Sequence, residues 1–157
     1  MTDADFFRNR VRIRVNGLLV RDHSILMVQL HSPVAGRLIW MPPGGGVRFG
    51  EQLSSALQRE MLEETGIRVS AGPLWYLHEV IQGDVHAVEF YYMCNFEGGS
   101  LRTGTDPEFS ESEQIIRDAA FLPLDRLKEE DVHPAYLRDG FEADYLEQEI
   151  RGFPKFI

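Results

Sequence analysis

The sequence predicts an α/β domain in which a mixed β-sheet packs between helices. Segments rich in β-branched and aromatic residues occur both before and after one strongly patterned helix. A chain of 157 residues with 43% hydrophobic residues is also long enough to bury one sizeable core. Strands on both sides of an embedded helix indicate a sheet with helices against it. We therefore expect residues 1–157 to form a single domain.

The elements before the patterned helix are separated by turn residues. We expect strands at 10–20 and 25–30, paired as a hairpin across a turn at 21–24. A loop at 31–37 contains Pro33 and Gly36 and leads into a short strand at 38–41. The following residues, 42–50, are rich in glycine and predict an irregular loop.

The patterned helix spans 51–65 and is expected to end at Gly66. A second hairpin follows, with strands at 74–81 and 86–96, and then a long polar loop at 97–112. A strand at 119–122 leads into a short helical turn at 124–129 and a second helix at 134–151. The predicted apolar face of that second helix contains Tyr136, Leu137, Phe141, Tyr145 and Leu146.

The first helix carries a cluster of glutamates. Residues three and four apart share a helix face, so Glu60 lies beside Glu63 and Glu64, where like charges repel. Such a cluster indicates a positive group between the carboxylates, and hard divalent cations such as Mg²⁺ or Mn²⁺ fit oxygen ligands best. A solvated acidic helix face is the alternative.

The helical wheel argues against a solvated face. Glu60 and Glu64 fall within roughly 40° of Leu53 and Leu57, inside the apolar stripe of the helix. Acids that break the binary pattern concentrate at functional sites. Leu62 lies on the far side, so we expect the helix to be covered on two sides.

The residues around this cluster follow a known spacing. Gly45, then five residues, Glu51, then seven residues, and the run from Arg59 to Ile67 together resemble a complete Nudix box. The resemblance extends more loosely to 40–44 and to 121–125. It implies an α/β/α sandwich and a divalent-metal-dependent pyrophosphohydrolase of the MutT type.

The resemblance also implies roles for single residues. Glu60 and Glu64 match the main metal ligands, Glu63 shares metal binding, and the carbonyl of Gly44 is the matching backbone ligand. The implied cofactor is Mg²⁺, with Mn²⁺ as a substitute, in one to three ions. Gly45 would let the backbone come close to a metal or phosphate, although a plain turn also explains glycine there.

Arg59 and Glu51 admit two interpretations. A guanidinium beside the acids either contacts phosphate or holds the carboxylates in place. The resemblance favours the second, with Arg59 paired to Glu51 as structural support. Glu51 near a helix N-terminus also interacts favourably with the helix dipole.

The general base is expected outside the box, on the loop before the last strand, as in many members of the family. That loop contains Glu108, Glu111 and Glu113, and Glu113 lies closest to the strand. Glu63, acting through metal-bound water, is the second candidate. A plain acidic loop is the alternative role for these residues.

Arginines occupy every second position near the start of the first predicted strand and form a basic ridge. Because side chains two apart share one face of a strand, these arginines point the same way. They either bind substrate phosphates, with Arg14 foremost and Arg12 next, or protect an exposed edge strand from aggregation. The residues of the ridge are Arg8, Arg10, Arg12 and Arg14.

Composition limits the partners. The net charge of −9 argues against a nucleic-acid backbone as the main partner. The family resemblance implies a small-molecule nucleotide instead. Cys94 is the single cysteine, which excludes an internal disulfide, and no run of residues has membrane-spanning length. The first residues lack the apolar core of a secretory signal, so we expect a cytoplasmic protein that does not bind membranes. A homodimer is compatible with the sequence.

The expected function is hydrolysis of a nucleoside diphosphate linked to another moiety, by attack of water at phosphorus. The resemblance leaves nucleotide sugars, ADP-ribose and nucleoside triphosphates open as substrates. The alternative is a nucleotide-sensing module without significant turnover, although such modules tend to lose box glutamates and this chain retains them. A metal-independent structural protein would leave the acids in the apolar stripe unexplained.

Overall fold

Nine strands and four short or medium helices make up the described part of the chain. The computed structural model describes residues 9–32, 35–103 and 116–147, with the backbone of 155–156. The strands are β1 Val11–Leu18, β2 Val20–Arg21, β3 Ser24–His31, β4 Leu38–Met41, β5 Gly44–Gly46, β6 Ile67–Gln82, β7 Val85–Gly99, β8 Ile116–Pro123 and β9 Lys155–Phe156. The helices are α1 Leu53–Thr65, a 3₁₀ helix Leu124–Glu129, α2 Ala135–Asp139 and α3 Phe141–Leu146. None of these helices is long and apolar enough to span a bilayer.

The strands form two sheets. The larger has the order β5-β1-β7-β6-β9. It is mixed, because β1 runs parallel to β7 and β9 parallel to β6, whereas β5 runs antiparallel to β1 and β6 antiparallel to β7. The smaller is built around β3, which pairs with β2, β4 and β8. The predicted mixed sheet is therefore confirmed, and so is the predicted hairpin of β6 and β7, which is longer than expected at both ends.

Side-chain alternation divides the core in two. On β1, Val15 faces the cluster that contains Leu57 and Met61 of α1. Leu18 of the same strand faces the opposite cluster, which contains Phe141 of α3 and neighbouring aromatic residues. Helices therefore pack against opposite faces of the strands, and the expected α/β/α sandwich is confirmed.

Helix α1 packs close to the sheet because Gly17 of β1 has no side chain. A Cβ at Gly17 would lie 2.5 Å from the Met61 sulfur. The helix ends as predicted at Gly66, which has a left-handed φ of 75° and donates its N–H to the Leu62 carbonyl at 2.9 Å. Its far side is covered less than expected, because Leu62 is 43% exposed.

Three element predictions are wrong. The strand expected at 10–20 is divided, because β1 pairs with β5 and β7 in the larger sheet and only β2 forms a hairpin with β3. Part of the expected loop at 42–50 is a strand, because β5 pairs antiparallel with Arg14–Asn16 and glycines carry no side-chain pattern that would reveal it. The expected helix at 134–151 is interrupted at Gly140, whose φ of −142° leaves the helical region. Leu146 is 59% exposed and does not belong to the apolar face, and residues beyond 147 lie outside the described part.

The position of β1 decides between the two interpretations of the basic ridge at Arg14. Arg14 pairs with Gly46 on one side and with Glu89 on the other, so it lies inside the sheet and not at an edge. Edge protection is therefore wrong for Arg14. The strand begins at Val11, which places Arg10 just before it, and Arg8 lies outside the described residues.

Gly66→Ala should destabilise the fold more than the same change at Gly50. Both glycines have left-handed φ angles, 75° and 79°, but a Cβ at Gly66 would lie 2.5 Å from the Ser100 carbonyl oxygen, whereas Gly50 faces open space. We expect a loss of roughly 1–2 kcal/mol for Gly50→Ala from backbone strain and roughly 2–4 kcal/mol for Gly66→Ala. Denaturant unfolding of both variants measures the difference, and equal losses would contradict the packing argument.

Candidate active site

The inner face of α1 buries two carboxylates among apolar side chains. Glu60 and Glu64 are 3% and 4% exposed, beside Leu57 and Met61, which are fully buried. The prediction that these acids lie in the apolar stripe is confirmed. Because a buried carboxylate is stable only when it is paired, their partners define the site.

Arg59 is the main partner of the cluster. Its Nε and Nη2 donate to the two oxygens of Glu51 at 2.8 and 3.0 Å. Its Nη1 donates to Glu60 at 2.7 Å and to Glu63 at 3.2 Å. Nη2 also donates to the Gly46 carbonyl at 3.1 Å. The guanidinium thus holds three carboxylates and a strand in one arrangement, which is the geometry expected of structural support.

The charges in this cluster reinforce one another. The hydrogen bond from Arg59 lowers the pKa of Glu51 from its ordinary value of 4.5 to about 2, against the opposing effect of burial. Hydrogen bonds to Glu51 and Glu60 raise the pKa of Arg59 above its ordinary value. Arg59 and Glu51 therefore remain an ion pair at any physiological pH.

The edge of β5 that faces away from β1 places backbone groups beside the carboxylates. Gly44 donates its N–H to Glu64 Oε2 at 2.9 Å, and Gly46 accepts from Arg59 two residues later. Since the N–H and C=O of one strand residue point to the same side, the Gly44 carbonyl faces this edge as well. Gly45 faces the helix, where a Cβ would lie 2.5 Å from the Glu60 carboxyl carbon, so only glycine allows this approach.

The donor set suits a hard divalent cation. Carboxylates of Glu60, Glu63 and Glu64 and the carbonyl of Gly44 offer only oxygens, which Mg²⁺ and Mn²⁺ prefer. Gly45 leaves the carboxylates close to the strand because it has no Cβ. Across residues 9–32, 35–103 and 116–147, no three acidic, histidine or cysteine side chains converge on one point. An ion held by Glu60 and Glu63 would use oxygens that now accept from Arg59.

Arg14 lies on the face of β1 opposite Val15, next to the carboxylate of Glu89. Its Nη1 is 3.7 Å from Glu89 Oε1, and its Nε is buried without a hydrogen bond from the described residues. Burial opposes its charge, but Glu89, Glu64 and Glu60 raise the pKa of Arg14 above the ordinary value. The guanidinium therefore stays charged beside Glu89. Arg12 is only partly buried on the same strand.

Sequence reasoning missed Asn16, which pairs in register with Gly44. Its side chain is fully buried, and neither amide atom has a hydrogen-bond partner in the described part of the chain. Buried amide groups without partners are rare in folded proteins. The sequence offered one signal of this: Asn16 is a polar residue between Val15 and Leu18, in a strand whose other inward residues are apolar.

Glu89 was also missed, although it interrupts an apolar run in β7. It is 4% exposed and accepts hydrogen bonds from His78 Nδ1 at 3.1 Å and from the Tyr91 hydroxyl at 2.8 Å. Burial opposes its ionisation, yet His78, Arg14 and Tyr91 together hold the pKa of Glu89 below its usual range. Glu113, the expected general base, lies outside the described residues, as do Glu108 and Glu111.

Known proteins resemble this chain in sequence. The chain matches the family model of the NUDIX domain over residues 10–139. It is 28% identical to an ADP-ribose pyrophosphatase of Methanocaldococcus jannaschii over 63% of this chain and 59% of that protein. The aligned part is thus less than two thirds of that relative's length.

Solved structures share the fold. A MutT NUDIX hydrolase from Burkholderia pseudomallei superposes with a TM-score of 0.62 and 25% identity, over 74% of this chain and 86% of that one. The MutT protein from Methanosarcina mazei Go1 superposes with a TM-score of 0.69 and 22% identity, over 88% of this chain and 96% of that one. The second likeness concerns the fold alone.

Glu51→Gln should lower stability in a pH-dependent way. The variant loses a charge-assisted pair with Arg59, which we expect to cost roughly 1–3 kcal/mol near neutral pH. Because the pKa of Glu51 falls from 4.5 to about 2 on folding, this contribution is complete above 4.5 and is lost as pH falls toward 2. The unfolding free energies of parent and variant in metal-free buffer should therefore converge on acidification.

An exposed glutamate provides the control. Glu129→Gln should change stability little at any pH, because Glu129 is exposed on the 3₁₀ helix. A difference between parent and Glu51→Gln that stays constant from about pH 6 to about pH 3 would contradict the assigned pairing.

Proposed function

The chain belongs to the NUDIX domain family, and on that premise we propose that it is a divalent-metal-dependent pyrophosphohydrolase. It cleaves the pyrophosphate bond of a nucleoside diphosphate linked to another moiety, by attack of water at phosphorus. The observation that carries this proposal is the carboxylate cluster of α1, gathered by Arg59 against the backbone edge of β5.

The chemistry follows from charge. The oxygens of a pyrophosphate repel an incoming nucleophile, and a bound divalent ion neutralises them and lowers the pKa of its bound water. Glu60, Glu63, Glu64 and the Gly44 carbonyl would hold Mg²⁺ or Mn²⁺. Arg59 and Glu51 keep these ligands in place, so they support catalysis without contacting the reacting atoms.

Glu63 is one candidate for the base among the box glutamates. Its side chain is 28% exposed, whereas that of Glu60 is 4% exposed, so water reaches Glu63 more readily. Glu113, the base expected from the sequence, is the other candidate, since its place before β8 is typical of the base in this family. Single Gln variants at the two positions discriminate between them through the pH dependence of kcat.

Two observations support the proposed substrate class: the similarity to a known pyrophosphatase and the positive charge of Arg14. Similarity to an ADP-ribose pyrophosphatase supports ADP-ribose as one candidate, beside nucleotide sugars and nucleoside triphosphates. All three contain a phosphoanhydride that carries several negative charges. The charges of Glu64 and Glu60 help to raise the pKa of Arg14, and we assign this cation to the substrate phosphates.

The alternative function is a nucleotide-binding module without turnover. Such a module needs no metal-activated water, so it has no need for three acids on one helix turn. The chain has all three box glutamates, Glu60, Glu63 and Glu64. Arg59 donates hydrogen bonds to the first two, and this arrangement favours the enzyme. Tight binding of a nucleotide with no product release would favour the module instead.

Hydrolysis should depend on divalent metal and on the buried glutamates. On a panel of ADP-ribose, nucleotide sugars and nucleoside triphosphates, turnover should stop in excess EDTA and return with Mg²⁺ or Mn²⁺. Glu60→Gln and Glu64→Gln should each lower kcat by at least about 100-fold, because a lost ligand removes several kcal/mol of transition-state stabilisation.

The matched control is Glu129→Gln, which removes an exposed carboxylate from the 3₁₀ helix and should keep kcat. Circular dichroism establishes that each variant is folded before its rate is read. Full turnover in excess EDTA would refute the metal mechanism, and near-normal kcat in Glu60→Gln or Glu64→Gln would refute the ligand assignment.

Arg14→Ala should weaken substrate binding. Loss of a charge-assisted hydrogen bond to phosphate should raise KM by about ten-fold or more, with a smaller effect on kcat. Metal affinity without substrate should barely change, because arginine cannot ligate a cation. Steady-state kinetics on the accepted substrate measures both constants, and an unchanged KM would remove Arg14 from the site.

A further inference from the structure

Glu89 has the features of a residue that holds another in place. It lies on β7 directly opposite Arg14 of β1, although the two are far apart in the sequence. Its carboxylate is almost fully buried and meets three groups: Arg14 Nη1 at 3.7 Å, His78 Nδ1 at 3.1 Å and the Tyr91 hydroxyl at 2.8 Å. The sheet thus carries a row of polar contacts from His78 through Glu89 to Arg14.

A purely structural role explains these contacts poorly. Replacing a buried ion pair with apolar residues is often neutral or stabilising, so the pair itself is weak evidence for a stability role. The neighbouring rung of the same sheet face is instead filled by stacked aromatic rings, with Tyr91 on Tyr76 at 4.2 Å between ring centroids. Besides accepting from His78 and Tyr91, the Glu89 carboxylate gives Arg14 a fixed negative neighbour, which an apolar residue at this rung would not.

The contact with Arg14 orients the guanidinium without occupying all its donors. At 3.7 Å the Nη1 to Oε1 distance is that of an ion pair and is too long for a good hydrogen bond. The two bonds that Glu89 accepts come from His78 and Tyr91, so its position does not depend on Arg14. Arg14 keeps a buried Nε–H without a partner among the described residues.

We propose that Glu89 is a positioning residue for Arg14: it holds the guanidinium in place at this rung of the sheet, and His78 and Tyr91 hold Glu89. The ligand that Arg14 receives is an anionic phosphoryl group of the substrate. This inference rests on the proposed function, because it assigns Glu89 a role through a substrate contact. Preorganisation of this kind reduces the cost of ordering a long side chain on binding.

The hairpin offers a matched control. Glu79 of β6 also contacts a histidine, His86 Nε2 at 3.0 Å, but this pair is exposed, with side-chain exposures of 42% and 37%. The change Glu79→Gln therefore removes a glutamate–histidine pair from the same hairpin without touching the Arg14 rung. It should leave KM and kcat unchanged.

A double-mutant cycle tests the inference. Parent, Glu89→Gln, Arg14→Ala and the double variant are compared by steady-state kinetics on the accepted substrate. Glu89→Gln should raise KM by about three- to ten-fold with kcat within about two-fold, the signature of lost substrate binding. Because Glu89 acts through Arg14, the double variant should match Arg14→Ala within about two-fold.

The outcomes separate the inference from the proposed function. If Arg14→Ala raises KM but Glu89→Gln does not, or if the two effects multiply, the positioning role is overturned and the proposed function stands. If Arg14→Ala leaves KM unchanged, both the arginine assignment and the positioning role fail. If no substrate on the panel is hydrolysed by the parent, the proposed function fails first, and nucleotide affinity measured by calorimetry replaces KM in the same cycle.

A second variant covers the case in which Glu89→Gln does not fold. Tyr91→Phe removes one hydrogen bond to Glu89 and leaves the aromatic stacking on Tyr76 in place. It should raise KM by about two- to five-fold in the parent background and by nothing further in the Arg14→Ala background. An unchanged KM in a folded Tyr91→Phe protein would overturn the chain of contacts.

Discussion

One guanidinium makes the acidic helix face compatible with a folded protein. Three glutamates on neighbouring turns of α1 would repel one another, and two of them are buried, where unpaired charge is most costly. Arg59 joins Glu60 and Glu63 to Glu51, which precedes the helix, and reaches the β5 backbone at Gly46. The helix, the loop before it and the sheet edge are thereby fixed to one another through a single side chain.

The backbone of β5 also helps to accommodate the buried glutamates. Gly44 satisfies Glu64 through its N–H, and Gly45 leaves room for the carboxyl group of Glu60. Any larger residue at Gly45 would displace the carboxyl group of Glu60 from its present position. Glycine is therefore required here for close approach, and the conformation of the segment is ordinary strand paired with β1. The glycine-rich segment and the glutamate helix form one structural unit.

Local sequence patterns predicted much of this molecule. The strand at Leu38–Met41, the 3₁₀ helix at Leu124–Glu129 and the helix end at Gly66 are found at the expected residues, because turn residues and periodicity are local signals. The buried placement of Glu60 and Glu64 followed from the helical wheel. The strand β5 did not, since three glycines have no pattern and take their structure from β1. The break at Gly140 was overlooked because the apolar spacing continues across it.

The contacts beyond the box could not be predicted from one sequence. Asn16 meets Gly44 and Arg14 meets Glu89 only through strand register, which a single chain does not reveal. An isolated polar residue in an apolar strand was visible at both Asn16 and Glu89, but its partner was not. The family resemblance covers α1 and the loop before it. It carries no information on the row of polar contacts from His78 through Glu89 to Arg14.

The parallel pairing of β1 with β7 has a consequence for how the molecule assembles. During synthesis β5 and α1 emerge soon after β1, but β7 emerges only after the whole of β6. Parallel pairing across such a separation requires closure of a long loop, which slows folding relative to local contacts. Until then one side of β1 lacks its neighbour, and such open edges are prone to intermolecular pairing. A chain arrested before Val85 would contain every residue of the glutamate cluster. One edge of its β1 strand would nevertheless stay open to pairing with another molecule.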